Sequence, residues 1–170
     1  MQLFLGYKYY DYYDYNCHKY KRAMKISTKA RYGTRALLDL ASNTRIEPIQ
    51  LKGIAQRQEI SPSYLEHLFI PLIAAGIVKS TRGSRGGVAL TRPAREIKLI
   101  EIVEALEGPI SLVECITDNG TCPRSGACAT QDIWRDLTEA IGGILENTTL
   151  ADLVEKQKGK MKKPMPSYEI

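Results

Sequence analysis

The chain has 170 residues, 44% of them hydrophobic and 25% charged, enough apolar material for one packed domain with an appendage. No apolar run approaches the roughly 20 residues a membrane-spanning helix requires, and the start lacks the basic residues and long apolar run of a secretory signal, so the expectation is a cytoplasmic protein without membrane association. The net charge of +5 conceals a segregation: residues 24–95 carry 12 Lys+Arg against 4 Asp+Glu, and residues 96–155 carry 3 against 12. A basic block followed by an acidic one points the first half at a polyanion.

Residues 1–23 hold seven of the ten tyrosines in a low-complexity run, YKYYDYYDYNCHKYKR. Neither a helical nor a strand period is present, so this stretch is expected to be a disordered extension. Met24 reads as the true start, with the first 23 residues arising from an upstream start-codon choice; the intact mass of the natively expressed protein tests this.

A first helix is predicted from Thr28 to Ser42, with Tyr32, Ala36, Leu37, Leu40 and Ala41 on one face, Thr28 as cap and Asn43 as its end. A second covers Leu51 to Gln58, with Leu51, Ile54 and Ala55 inward. The third opens with Ser61 at the N-cap and Pro62 at the first helical position, where a missing N–H costs nothing. Its inward stripe is Leu65, Leu68, Phe69 and Leu72; Pro71 predicts a kink or break, and Gly76 an end. Ile77–Thr81 and Val88–Thr91 are β-branched runs flanking RGSRGG, which reads as a hairpin with a flexible basic tip.

Residues 99–107 form another helix, stopped by Gly108-Pro109. Residues 109–129 read as loop throughout and contain Cys115, Cys122 and Cys128. From Thr130 to Glu146 an amphipathic helix carries Ile133, Trp134, Leu137, Ile141, Ile144 and Leu145 as a stripe. Thr149 and Asp152 make a capping box for a short last helix, ending near residue 156; residues 157–170 are expected to be a disordered tail. The fold class is mainly α, an α+β winged helix: a winged helix-turn-helix domain over 24–108, a cysteine loop over 109–129, and a long helix with a terminal short one over 130–156.

Three helices followed by a two-stranded hairpin is the order of a winged helix-turn-helix, whose recognition helix enters the major groove by its N-terminal residues. Here that helix is SPSYLEHLF, and Ser61, Ser63, Tyr64, Glu66 and His67 remain outside once the apolar residues turn in. Serine and tyrosine hydroxyls suit phosphates or bases, whereas Glu66 is repelled by phosphate and suits only cytosine N4, which makes it a selector. Arg82 and Arg85 at the glycine-rich tip suit a minor groove. Lys25, Thr28, Lys29 and Arg31 are phosphate-clamp candidates. RGSRGG matches neither the phosphate-binding loop nor the dinucleotide fingerprint.

MKISTKARYGTRALLDLA, SPSYLEHLFIPLIAAGIVKS and TRGSRGGVAL resemble the IscR/NsrR/CymR-type family of bacterial winged-helix regulators, and within it the IscR-like iron–sulfur cluster regulators, over residues 24 to about 156. The resemblance implies a transcription regulator, a repressor of cluster-assembly genes. It also implies a homodimer whose long C-terminal helices cross through Ile133, Trp134, Leu137, Ile141 and Leu145, reading a two-fold operator in double-stranded DNA and served by cluster donor proteins.

Clustered cysteines in an intracellular chain point to metal binding or redox chemistry. Gaps of six and five residues, with no C-x2-C pair and no nearby histidine, disfavour zinc. Three thiolates on a loop suit an iron–sulfur cluster with one ligand position left over, since such clusters normally take four. The resemblance supports this, for its cluster-binding members carry three cysteines before a W-R-D-L helix, and Trp134-Arg135-Asp136-Leu137 stands here. Two departures stand out: the first gap is one residue longer than usual, and Gln131 occupies the place of a histidine ligand, which leaves Gln131, solvent or a partner-subunit group for the fourth position. A [2Fe–2S] cluster is favoured over [4Fe–4S]. Competing readings are a nitric-oxide or redox sensor with a [4Fe–4S] cluster, a cluster-independent regulator of cysteine metabolism controlled by a protein partner, and an electron-transfer or cluster-carrier protein. With no Ser–His–Asp set, paired carboxylates or phosphate loop, and only His18 and His67 as histidines, an enzyme is not expected.

Overall fold

A computed structural model describes residues 26–43, 48–83, 86–118, 120–124 and 127–161. In chain order these form α1 (Thr28–Ser42), α2 (Leu51–Gln58), α3 (Pro62–Ala74), β1 (Val78–Thr81), β2 (Gly87–Leu90), a 3-10 turn (Ala94–Glu96), α4 (Leu99–Glu107), α5 (Glu114–Thr117), α6 (Ala129–Glu146) and α7 (Leu150–Met161). This is a mainly α winged helix.

The cap of α1 is Ser27, one residue before the predicted Thr28. Its backbone is extended, and its hydroxyl accepts from the Lys29 N–H at 2.9 Å. Asn43 closes the helix as expected, through its N–H to the Asp39 carbonyl. α2 ends at Glu59, which lies in the left-handed region at φ 56°, a conformation usually given to glycine. The chain then buries Ile60 and reaches Ser61, whose hydroxyl accepts from the Tyr64 N–H at the start of α3.

α3 does not stop at Pro71, where the sequence predicts a kink or break; it continues to Ala74. Leu68, Phe69 and Leu72 are buried on both sides of the proline, and this packing outweighs the one lost helical bond. The helix closes in a Schellman motif: Gly76, at φ 69°, donates to Ile73 O and Ile77 N donates to Leu72 O, with Ile77 and Leu72 both buried.

β1 and β2 pair antiparallel, Val78 opposite Leu90 and Thr81 opposite Gly87. Ile49 adds itself to the free side of β2, donating to Val88 O at 2.9 Å and accepting from Val88 N at 2.8 Å. This approach explains Gly87: a Cβ there would lie 2.5 Å from the Ile49 carbonyl oxygen, a backbone atom that cannot step aside.

One core contains Leu37, Leu40, Ile54, Leu65, Phe69, Leu72, Val78, Val88, Ile97, Ile102 and Leu150. Leu150 places α7 in it. The terminal helix, grouped by the sequence with the long helix, therefore packs into the winged-helix unit, tied by Leu99 N to Thr148 O at 2.8 Å and Leu150 N to Ile97 O at 2.9 Å. The predicted Thr149–Asp152 box is present, the Asp152 carboxylate accepting from Thr149 N at 2.8 Å. α7 reaches Met161, into the segment expected to be disordered; Lys158 and Lys160 in its last turn complement the helix dipole. The cysteine segment is likewise not loop throughout, because α5 forms a single turn from Glu114 to Thr117.

Candidate DNA-binding surface and cysteine segment

Ser61, Ser63, Glu66 and His67 stand exposed on α3, as expected of a recognition face. Tyr64 differs. It is half-buried, its ring meets Tyr32 edge to face with centroids 6.1 Å apart, and its hydroxyl donates toward Thr28 Oγ1 at 3.5 Å. Tyr64 thus ties the recognition helix to α1 as well as bordering the DNA face. Thr28, Lys29 and Arg31 are exposed along α1, and Arg82 is exposed at the end of β1. Lys25 and Arg85 lie outside the described residues.

The sequence reading missed Arg35 in this surface. Its guanidinium and that of Arg31 both approach the Tyr32 ring, at 5.5 and 5.7 Å. Arg35 also donates to the Gln58 carbonyl at 2.9 Å, the exposed C-terminal end of α2. The available signal was spacing: Arg31 and Arg35 are four apart on one helix face. Behind them Asp39 is buried, and its carboxylate accepts from Arg57 (2.6–3.1 Å), Gln58 Nε2 (2.9 Å) and Asn43 Nδ2 (3.3 Å). Burial works to raise the Asp39 carboxyl; the Arg57 guanidinium and the two amides overcome it and hold it below the usual carboxylate range.

Cys115 lies on α5, Cys128 at the N-cap of α6, and Cys122 between them; all three are free, half-buried thiols. Cys128 Sγ shares a hydrogen bond with Thr130 Oγ1 at 3.0 Å. That hydroxyl, followed by the Gln131 N–H, pulls the thiol below its usual range and favours thiolate, the metal-ligating form. Gln131 is buried, and its amide Nε2 donates to the Cys115 carbonyl at 2.6 Å, which staples α5 to the start of α6. Among the described residues, no three Cys, His, Asp or Glu side chains converge within reach of one metal ion. The donors suit a thiolate-bound cluster in kind.

Ile133, Trp134, Leu137 and Ile144 of α6 are exposed at 41–68%, and Ile141 and Leu145 are half-buried. An open apolar cleft of about 530 Å³ continues this stripe, lined by Ile26, Ala30, Tyr32, Leu99, Val103 and Leu145 among others.

A recognition helix capped by serine, a β hairpin beside it and a basic α1 define a winged helix-turn-helix DNA-binding protein. Residues 26–156 match the model of the Rrf2 family, described as an iron-dependent transcriptional regulator. The chain is 44% identical over 131 residues to protein Rrf2 of Nitratidesulfovibrio vulgaris, covering 77% of this chain and 87% of that one. It is 39% identical over 135 residues to the HTH-type transcriptional regulator IscR of Klebsiella pneumoniae, covering 79% and 82%. Among solved structures it matches T. potens IscR with a TM-score of 0.68 at 34% identity, over 86% of this chain and 98% of that one. It matches CymR, the global cysteine regulator of B. subtilis, with 0.67 at 40% identity, over 79% and 98%. The chain belongs to the Rrf2 family of transcriptional regulators; it is a DNA-binding regulator and not an enzyme.

Proposed function

We propose that this regulator senses iron–sulfur cluster status and represses cluster-assembly genes, as a cytoplasmic homodimer on a two-fold operator. The observation that carries the reading is three free thiols in one short segment leading directly into α6 of a winged-helix unit. Cys115, Cys122 and Cys128 would hold the cluster, [2Fe–2S] in preference to [4Fe–4S], with Gln131, solvent or a partner group at the fourth position. When bound, the cluster supplies a labile iron–sulfide centre whose presence or loss is the signal.

The protein's own residues do the rest. The Thr130 hydroxyl and the Gln131 N–H pull the Cys128 thiol below its usual range, and Gln131 links Cys115 to α6. α6, with 18 residues and about 27 Å of length, is anchored at its far end by the Lys98–Glu146 ion pair. The exposed stripe of α6 and the apolar cleft beside it suit a second copy of the chain, which would set the spacing of two recognition helices. Ser61, Ser63, Tyr64, Glu66 and His67 then address the major groove. Arg82 and Arg85 address the minor groove, and Lys25, Thr28, Lys29 and Arg31 the phosphates.

Anaerobic purification with visible absorption, iron and sulfide content, followed by binding to the protein's own promoter at fixed salt with and without cluster, tests the reading. Stoichiometric iron and sulfide with a shift in affinity on cluster loss supports it; a colourless protein that binds its promoter unchanged refutes the sensor. The three free, half-buried thiols in one short segment, with Cys128 drawn below its usual range by Thr130, support a second reading: a thiol-based switch in a regulator of cysteine metabolism. Reversible loss of promoter binding on mild oxidation of the iron-free protein would select it.

A further inference from the structure

The N-terminal turn of α1 is held by a residue from far along the chain. Glu107 is the last residue of α4, and its Oε1 accepts both from the Ser27 hydroxyl and from the Ala30 N–H, the latter at 3.1 Å. Ser27 in turn caps Lys29. The two helices are pressed together just there, since any Cβ at Gly33 would collide with the Leu106 side chain. Immediately after Glu107 the chain turns through Gly108, at φ 91°, into the segment that carries Cys115. Glu107 therefore has the exposed clamp candidates Thr28, Lys29 and Arg31 on one side and the cysteine segment on the other.

We propose that Glu107 is a positioning residue that sets the first turn of α1 for phosphate contact and transmits displacement of the cysteine segment to that turn. The inference rests on the DNA-binding and cysteine-segment readings above. Pulling residues 108–115 toward a closed arrangement draws on Glu107 first. Releasing its carboxylate frees the Ser27 hydroxyl and the Ala30 N–H together, and the turn bearing Lys29 loses its anchor.

The test compares Glu107→Ala with Glu107→Gln in the full chain. Both remove a negative charge near the DNA face, so the electrostatic gain is common to them. Only glutamine keeps an oxygen that can accept from Ser27 and Ala30. Using a duplex carrying the protein's own promoter, Glu107→Ala should bind roughly three- to tenfold more weakly than Glu107→Gln, with a salt slope smaller by about one for each phosphate that is no longer engaged. Amide exchange at Lys29, Ala30 and Arg31, measured without DNA, should be faster in Glu107→Ala than in Glu107→Gln. Alkylating Cys115, Cys122 and Cys128 with iodoacetamide, in a Cys17→Ser background, should accelerate the same amides, and should add little when Glu107→Ala is also present.

Equal affinities, salt slopes and exchange rates for the two variants would overturn the positioning role, whatever their melting temperatures. Alkylation without effect on α1 would overturn the transmission. A wild-type protein that failed to bind the duplex would instead sink the DNA-binding reading, and the exchange data would still decide what Glu107 does.

Discussion

Replacing Asp39 with alanine should be among the more damaging changes away from the large core side chains. The carboxylate is 95% shielded, yet it receives donors from Arg57, Gln58 and Asn43, so it stitches α1 to the end of α2. Its partners are better placed to recover: the Arg57 side chain is 44% exposed and regains water when the carboxylate goes. The loss thus falls below the 3–5 kcal/mol of a fully buried pair, and about 2–3 kcal/mol is expected. For a domain of this size that lowers Tm by roughly 6–10 °C at pH 7. Asp39→Asn keeps the shape and one acceptor, and should lose about half as much.

The pH dependence fixes the cause. Asp39 has a lowered pKa in the folded state, so its contribution is present above the unfolded-state value near 4 and is lost as pH falls through the lower folded value. The gap in melting temperature between wild type and Asp39→Asn should therefore be full at pH 7 and shrink below about pH 4. Thermal unfolding followed by circular dichroism from pH 7 to pH 3 measures it. An Asp39→Ala protein that melts with wild type at pH 7, or a gap that does not change on acidification, would refute the assignment of this stability to the charged carboxylate.

Other substitutions address separate features. Gly87→Ala forces a side chain against the Ile49 carbonyl, and with two backbone bonds disturbed it should cost about 2–4 kcal/mol in urea unfolding; unchanged stability would mean that the wing does not need the Ile49 bridge. Glu59→Gly relieves a left-handed residue after α2 and should stabilise by about 0.5 kcal/mol net of glycine's greater chain entropy; a lower urea midpoint would show instead that the Glu59 side chain contributes. Leu137→Glu places charge in the exposed α6 stripe and, for the homodimer proposed above, should shift sedimentation from dimer to monomer, while an unaltered sedimentation coefficient would remove α6 from the proposed interface.

What was legible in the sequence was local. Ser61-Pro62, Gly76, Gly108 and the Thr149–Asp152 pair are signals read within four residues, and each boundary stands where they put it. Apolar periodicity placed α2 and α4 to the residue. Pro71 does not break α3, because the packing of Leu68 and Leu72 on either side, which a local rule cannot weigh, carries the helix past it. Glu59 was invisible because a left-handed residue is flagged only when it is glycine or asparagine. α5 is one turn long, too short for any period to show. The remaining omissions are long-range: Glu107 meets Ser27 across 80 residues, Gln131 meets Cys115 across 16, and nothing in the order of residues marks those pairs. For the candidate site, residue types on the recognition helix were readable, whereas the turning of Tyr64 toward Tyr32 was a matter of packing.

Trp134 is the single tryptophan of the chain, 41% exposed on α6 and about 9 Å along the helix from Cys128. The protein consequently carries its own optical reporter at the point where its two proposed events meet. Covering the indole with an apolar surface moves its emission to shorter wavelength, whereas a visible-absorbing centre at Cys128 quenches it by energy transfer. Association and loading thus leave opposite, separable marks on one fluorescence spectrum, readable in the unlabelled protein.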